Sequence, residues 1–325
     1  MKNYGLAADI GGTNARFGLV DLDSAEQIAL PQSPRKLVTK DYASLTDAVR
    51  SYLSDLKLDA PPRQAVLAIA GPVGDGTVSM TNSGWRFSAR ELGAALAVER
   101  VRLINDYEAI AYAIPHLAGD DLKTIGPVRA PSANNRTFAI VGPGTGLGVG
   151  GGVRLGKRVV PLVTEGGHAD FAPTDDIEIE ILKFLRGRYG HVSNERILSG
   201  PGLVNLHEAL AAIDGVAYEK IDSHAITAQA QADPNSLCGT VFARFCAILG
   251  SVCGDVALMM GARDSVFLAG GILPAMEESF AAGPFRERFE AKGRFRDYLR
   301  GIPTLLIVQD YAGLIGAAAA LRAGD

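Results

Sequence analysis

The chain has 325 residues, 47% of them hydrophobic and 21% charged, with a formal net charge of -4. That length suits about two domains of ~150 residues each and supplies a sizeable core. The mildly acidic balance leaves no electrostatic footprint for nucleic acid or an acidic membrane surface, and three cysteines are too few for a disulfide scaffold.

The first element is an apolar run from Gly5 to Ile10, followed by Gly11-Gly12-Thr13-Asn14 and a second apolar run from Phe17 to Val20. This pattern predicts two strands joined by a tight glycine turn, in which the glycines permit positive φ and close approach of another group. Outward-facing N–H groups in such a turn form an anion cradle, and Asp9 at its base is a carboxylate suited to Mg²⁺ arriving with phosphate. An ordinary hairpin has the same composition. Asp21 to Lys40 is polar, with Pro31 and Pro34, and reads as strand edge and loop. Leu45, Val49, Tyr52, Leu53 and Leu56 recur at helical spacing, and Pro61-Pro62 ends that helix. Gln64 to Ala70 is a buried-strand run closed by Gly71-Pro72, and Thr77 to Phe87 is a β-rich excursion. Ser88-Ala-Arg-Glu91 is a capping box opening a helix to Ala97. Val101 to Ile104 is another buried strand; Asn105-Asp106 follows, either a helix cap or a carboxylate placed to accept a proton. Tyr107 to Ala113 is helical. The alternation fits an α/β domain, and the polar stretch Pro115 to Asn135 marks a domain boundary.

Phe138 to Val141 and the run Gly142-Pro-Gly-Thr-Gly-Leu-Gly-Val-Gly150 repeat the opening theme: Gly12-Thr13 matches Gly144-Thr145, and Gly18 matches Gly150. This echo predicts two related halves. Gly146, Gly148 and Gly151 also satisfy GxGxxG, but Val153 to Val163 reads strand–turn–strand, whereas a dinucleotide loop must open a helix. A Walker A loop is excluded because Gly-Lys-Ser/Thr does not occur. Glu165 and His168 stand three apart in a Gly-rich loop and offer the mixed acceptors and donors that a neutral polyol needs. Glu195 follows Ser193, either as a helix-start carboxylate or a ligand. Helices are expected at Ile177 to Arg186 and Leu203 to Ala212. Asn235 to Met260 reads as one long buried helix or a pair broken near Gly250 or Gly254. Within it Cys246 and Cys253 fall about 80° and 60° from Cys238, one narrow face, and read as small core residues. Val266 to Ile272 is a strand ending in Gly270-Gly271, Phe285 to Arg300 carries alternating charges, Thr304 to Val308 is a last strand, and Gly313 to Ala323 is a small-residue helix. Three glycine turns at strand ends suit one long polyanionic ligand such as ATP. No charged-then-apolar leader precedes the first strand and no apolar run reaches ~18 residues, so a soluble cytoplasmic protein is expected.

Asp9-Ile-Gly-Gly-Thr-Asn-Ala-Arg16, Leu103-Ile-Asn-Asp106, Gly142-Pro-Gly-Thr-Gly-Leu-Gly148, Glu165-Gly-Gly-His-Ala-Asp-Phe171, His191 to Gly202 and Ala269-Gly-Gly-Ile272 together resemble the bacterial glucokinase family in kind, order and spacing. The resemblance runs from residue 4 to about residue 320. It implies a two-lobed actin-like ATPase (ribonuclease H-like) fold with ATP and sugar in the interlobe cleft. The small domain would be 1–115 plus 309–325 and the large one 116–308, with the Gly313–Leu321 helix crossing back to the first lobe. It further implies ATP-dependent phosphorylation of D-glucose by a homodimer. Asp106 would be the base for the 6-hydroxyl, and Asn105, Glu165, His168 and Glu195 would hold the other hydroxyls. Ala8, Asp9, Ile10, Gly11, Gly12 and Thr13, with Gly144 and Thr145, would form the two phosphate segments. Asp9 would stand near Mg²⁺, directly or through water, and Gly270-Gly271 at the adenosine.

Ala8 departs from the Gly that some members carry before the Asp, and Tyr311-Ala312 from an Asn-Pro. The zinc-binding cysteine cluster of the related repressor/kinase group is missing from the sequence. The alternatives are a kinase for another hexose or an amino sugar, a non-catalytic sugar sensor on the same scaffold, and a filament-forming actin relative.

Overall fold

The computed structural model describes residues 3–24, 31–71, 73, 77–80, 83–127, 135–156 and 158–323. Outside them lie part of the 21–40 loop reading (25–30), Pro72 of the Gly-Pro stop, residues 81–82 of the β-rich excursion, 128–134 of the expected boundary and Lys157 in the 153–163 turn. The chain divides into two compact units, one of Met1–Asp121, Arg154–Val163 and Gln309–Asp325, the other of Leu122–Val153 and Thr164–Val308. The division expected from sequence differs from this one in making its first cut at 115 and in keeping 154–163 with the larger part.

In the first unit β1 (Tyr4–Ile10) pairs antiparallel with β2 (Asn14–Asp21), and β2 with β3 (Gln32–Val38). On its other side β1 runs parallel to β4 (Gln64–Ile69). A short ribbon, β5 (Thr77–Ser79) and β6 (Arg86–Ser88), precedes β7 (Arg100–Asn105), which is parallel to β4. The sheet order is β3-β2-β1-β4-β7. Pro34 sits in β3, an edge strand, where a missing N–H costs no ladder bond.

Both faces of this sheet are covered, which is why its strands read as unbroken apolar runs. Leu6, Ala8 and Ile10 point into a core with Tyr52 and Leu92 from α1 (Leu45–Leu56) and α2 (Ala89–Leu96). Ala7, Val66 and Ala68 point the other way, onto Ala109 of α3 (Asp106–Ala113) and Leu314 and Ala317 of the C-terminal helix Ala312–Ala323. Ser44 caps α1, and the Ser88–Glu91 capping box opens α2 with both reciprocal bonds formed. The C-terminal helix lies so close to α3 that a Cβ at Gly316 would run into the carbonyl oxygen of Ala109.

A second sheet has six strands in the order β11-β10-β9-β12-β13-β8. Its strands are β8 (Leu122–Thr124), β9 (Thr137–Pro143), β10 (Leu147–Leu155), β11 (Arg158–Val163), β12 (Val266–Leu268) and β13 (Thr304–Ile307). β9 pairs antiparallel with β10 and parallel with β12, which is parallel to β13. The order β11-β10-β9-β12-β13 repeats β3-β2-β1-β4-β7 of the first sheet, so the internal echo is borne out. The GxGxxG glycines lie at the start of and within β10 rather than opening a helix.

The helices are α4 (Asp176–Tyr189), α5 (Gly200–Asp214), α6 (Ser223–Ala232), α7 (Leu237–Met260), α8 (Ile272–Ala275), α9 (Glu277–Ala282), α10 (Phe285–Glu290) and α11 (Arg296–Arg300). The sequence reading missed α6, in which Ile226 and Ala230 alone are buried and no apolar stripe announces the helix. α7 is one unbroken helix. Gly250 and Gly254 do not break it; they let α10 approach, since a Cβ at Gly250 would strike the carbonyl oxygen of Phe285. α7 is long and apolar enough to cross a membrane, but it is mostly buried and serves as the core helix of the second unit. Cys238, Cys246 and Cys253 are buried along it, and burial pushes the Cys246 and Cys253 thiols far above their usual range.

Two glycine-to-alanine changes separate packing from helix propensity. Gly316→Ala should cost about 3 kcal/mol or more, because the new methyl meets backbone that cannot yield. Gly187→Ala in α4, where nothing lies within 4 Å, should gain about 0.5–1 kcal/mol from propensity. Urea unfolding of both variants measures the two signs.

Candidate active site

The parallel register of β1, β4 and β7 aligns their carboxyl ends: Ile10 lies opposite Ile69, and Ile69 opposite Asn105. The Gly11–Thr13 tip, Gly71 and Asn105-Asp106 therefore leave the sheet at one edge, where open α/β sheets bind ligands. Asn105 caps α3: its Oδ1 accepts from the N–H of Tyr107 at 2.8 Å and of Glu108 at 3.4 Å, and its Nδ2 donates to the Gly71 carbonyl at 3.2 Å. Asp106 is the first residue of α3 and half-buried, and its Oδ1 accepts the Tyr107 N–H at 3.0 Å. A helix N-terminus favours the carboxylate form at this position. Burial and the neighbouring Asp106 together push the Tyr107 hydroxyl above its usual range.

Asp9 stands directly across the β1–β2 pair from Arg16, whose Nη1 donates to Oδ2 at 3.2 Å. Its side chain is only 18% exposed. A Cβ at Gly313 would lie 2.7 Å from Asp9 Cγ, so only glycine lets the C-terminal helix begin against this carboxylate. The Gly11 N–H bonds to Asn14 O at 2.9 Å, and Thr39, buried, braces the tip with its hydroxyl on Gly12 O and its N–H on Thr13 O, both at 2.9 Å. Thr13 itself is exposed. Ala8 and Ile10 are fully buried, their side chains in the core cluster with Tyr52 and Leu92.

In the second unit the β9–β10 tip is closed by a bond from Gly144 N to Gly146 O at 2.8 Å, and Gly144 O accepts from Gly200 N, at the start of α5, at 2.8 Å. Thr145 is exposed. Beside this tip ends β12: Ala269 N bonds to Val141 O at 3.0 Å, and Gly270-Gly271 follow. Gly270 has φ +84° and lies against the carbonyl of Pro143. Gly270 is among the glycines with positive φ, whereas Gly11 and Gly12, where the opening turn permits it, are not, nor are Gly144 and Gly146.

Glu165, His168 and Glu195 gather in the same unit. The turn Gly166–His168 rests on β10, so close that Cβ atoms at Gly166 and Gly167 would overlap Val149 and the Leu147 carbonyl. Glu165 and His168 are exposed, with the His168 N–H bonded to Glu165 O at 3.0 Å. Glu195 lies in the turn Asn194–Arg196 and does not cap it; its Oε2 accepts the Leu147 N–H at 3.0 Å, and its Oε1 lies 3.9 Å from His168 Nδ1. That turn is held by Asn205, which donates to Arg196 O at 2.8 Å and accepts from Tyr189 OH at 2.9 Å. Ser199 Oγ donates to Glu195 O at 2.8 Å.

The structure thus brings together the Asp9 tip with Asn105-Asp106 in one unit, and the Gly144 tip with Gly270-Gly271, Glu165, His168 and Glu195 in the other. Sequence reasoning missed the residues that brace them: Thr39, Gly313, Ser199 and Asn205. Arg16 alone had a signal, a cross-strand position level with Asp9.

The model of the glucokinase family matches residues 6–324. A glucokinase of Caulobacter sp. (strain K31) is 47% identical over 98% of this chain and 94% of its own length. One of Hahella chejuensis is 43% identical over 98% and 97%. The crystal structure of a glucokinase from an Antarctic psychrotroph superposes with a TM-score of 0.87 at 38% identity, covering all of both chains. A ROK family glucokinase from Streptomyces griseus, solved with glucose and AMPPNP, shares the fold at 19% identity and a TM-score of 0.63, over 99% of this chain and all of its own. These neighbours carry the actin-like ATPase fold. The chain is an enzyme and belongs to the glucokinase family.

Proposed function

We propose that this enzyme transfers the γ-phosphoryl group of ATP to the 6-hydroxyl of D-glucose, giving glucose 6-phosphate, with Asp106 as the general base. The observation that carries this reading is the common edge of β1, β4 and β7, which sets a helix-start carboxylate level with a glycine tip and its own carboxylate. Phosphoryl transfer asks little covalent chemistry of a protein; it asks for an in-line nucleophile, charge neutralisation and a proton acceptor.

Asp106 would accept the proton of the sugar alcohol as its oxygen attacks. Asn105 has one N–H committed to Gly71, which leaves its second for a neighbouring hydroxyl. Glu165, His168 and Glu195 would hold the remaining hydroxyls. The N–H groups of Gly11 to Thr13 and of Gly144-Thr145 would receive phosphate oxygens, with Gly270-Gly271 at the adenosine. Mg²⁺ fits this arrangement: Asp9 offers a hard oxygen donor at the tip, and no group of three or more His, Cys, Asp or Glu among the described residues forms a closed metal cage. When bound with ATP, the ion supplies neutralisation of the β and γ oxygens, and Asp9 would hold it directly or through water. The same reading makes the enzyme a cytoplasmic, glycolytic homodimer with a small domain of 1–115 plus 309–325, and gives it no nucleic-acid or membrane partner.

Asp106→Asn should lower kcat for glucose 6-phosphate formation by ~10²–10⁴-fold, with KM for glucose changed far less. A coupled assay that found turnover within about tenfold of wild type would overturn the assignment. Side-by-side kcat/KM values for glucose, mannose, fructose and N-acetylglucosamine should favour glucose.

Burial raises the Asp9 carboxyl above its ordinary value, and Arg16 pulls only partly the other way. A carboxyl raised on folding weakens the folded state above its folded pKa, where the buried charge must be carried, and has no such effect below its unfolded pKa. Asp9→Asn should therefore have a higher urea midpoint than wild type at about pH 8, with the difference shrinking toward about pH 4, while its ATP-dependent activity is lost.

A further inference from the structure

We propose that Glu195 shields the Gly144–Gly146 tip from nucleotide until sugar binds, so that glucose itself makes the tip receptive to phosphate. This rests on the reading above, in which that tip meets phosphate and Glu195 meets a sugar hydroxyl.

Leu147, the first residue of β10, is engaged on both sides. Its N–H is taken by Glu195 Oε2 at 3.0 Å, and its carbonyl lies against Gly167 of the Glu165–His168 loop. The Glu195 carboxylate also occupies the space over Gly146, where a Cβ would collide with Oε2. A negative charge thus sits beside the tip, over Gly146, and repels an incoming phosphate. The tip's other anchor is backbone, Gly200 N on Gly144 O at 2.8 Å. Glu195 is the side chain among these contacts, a third exposed and able to swing. Its second oxygen already faces His168 Nδ1 at 3.9 Å. Sugar hydroxyls arriving between Glu165, His168 and Glu195 donate to that carboxylate and draw it from the tip. The Leu147 N–H is released and the charge moves away. Asn205 and Ser199 hold the backbone of the Glu195 turn in place, so the side chain moves and not the loop.

The test is calorimetric titration with Mg²⁺ and AMP-PNP, with and without saturating glucose. Wild type should bind AMP-PNP about tenfold more tightly when glucose is present. Glu195→Gln still offers a carbonyl to Leu147 but removes the charge; without glucose it should bind AMP-PNP roughly three- to tenfold more tightly than wild type, and the glucose effect should shrink by the same factor. Gly146→Ala keeps the charge and displaces it with a methyl group, and should shift both quantities in the same direction. Reciprocity requires the effect of AMP-PNP on glucose affinity to shrink equally, which checks the measured coupling. Should Gly146→Ala melt early, Glu195→Gln decides alone. Wild-type affinity without glucose and an undiminished glucose effect in the folded variants would overturn the proposal. Wild-type enzyme that bound neither glucose nor AMP-PNP would instead overturn the function on which it rests.

Discussion

The site depends on a constraint of register. Three parallel strands, held by a continuous ladder, must end level if their first residues start level, and in the first unit they do: Ile10, Ile69 and Asn105 share one row. Because both faces of the sheet are buried, polar groups can gather only where the ladder stops. That is where Asp9, the glycine tip and Asp106 are found. The second sheet repeats the arrangement, with β9 and β12 ending at the Gly144 tip and at Gly270-Gly271.

Much of this was legible in the residues because it is local. Apolar runs gave the buried strands, the Ser88–Glu91 spacing gave a capping box with both bonds formed, and the echo of Gly12-Thr13 in Gly144-Thr145 gave two sheets of like order. Asn105 shows that two readings of one residue need not compete: it is a helix cap in full use, and it still has an N–H to offer.

What was not legible is long-range. Nothing near Thr39 announces that it braces a tip almost thirty residues earlier, and nothing near Asn205 that it secures the turn carrying Glu195. Glycine was the most ambiguous letter. Positive φ was permitted at the opening turn but is needed at Gly270, whereas Gly250, Gly254, Gly313 and Gly316 are there because backbone or a carboxylate lies where a Cβ would stand. Those reasons concern partners tens to hundreds of residues away.

The C-terminal helix has a consequence for how the chain is born. Ala7, Val66 and Ala68 are among the earliest residues to leave the ribosome, yet the face they form is covered by Leu314 and Ala317. The segment that completes the first unit is translated after nearly all of the second. The opening sheet must therefore wait, one greasy side covered only in part by α3, while its neighbour folds, and a chaperone has that interval in which to hold it.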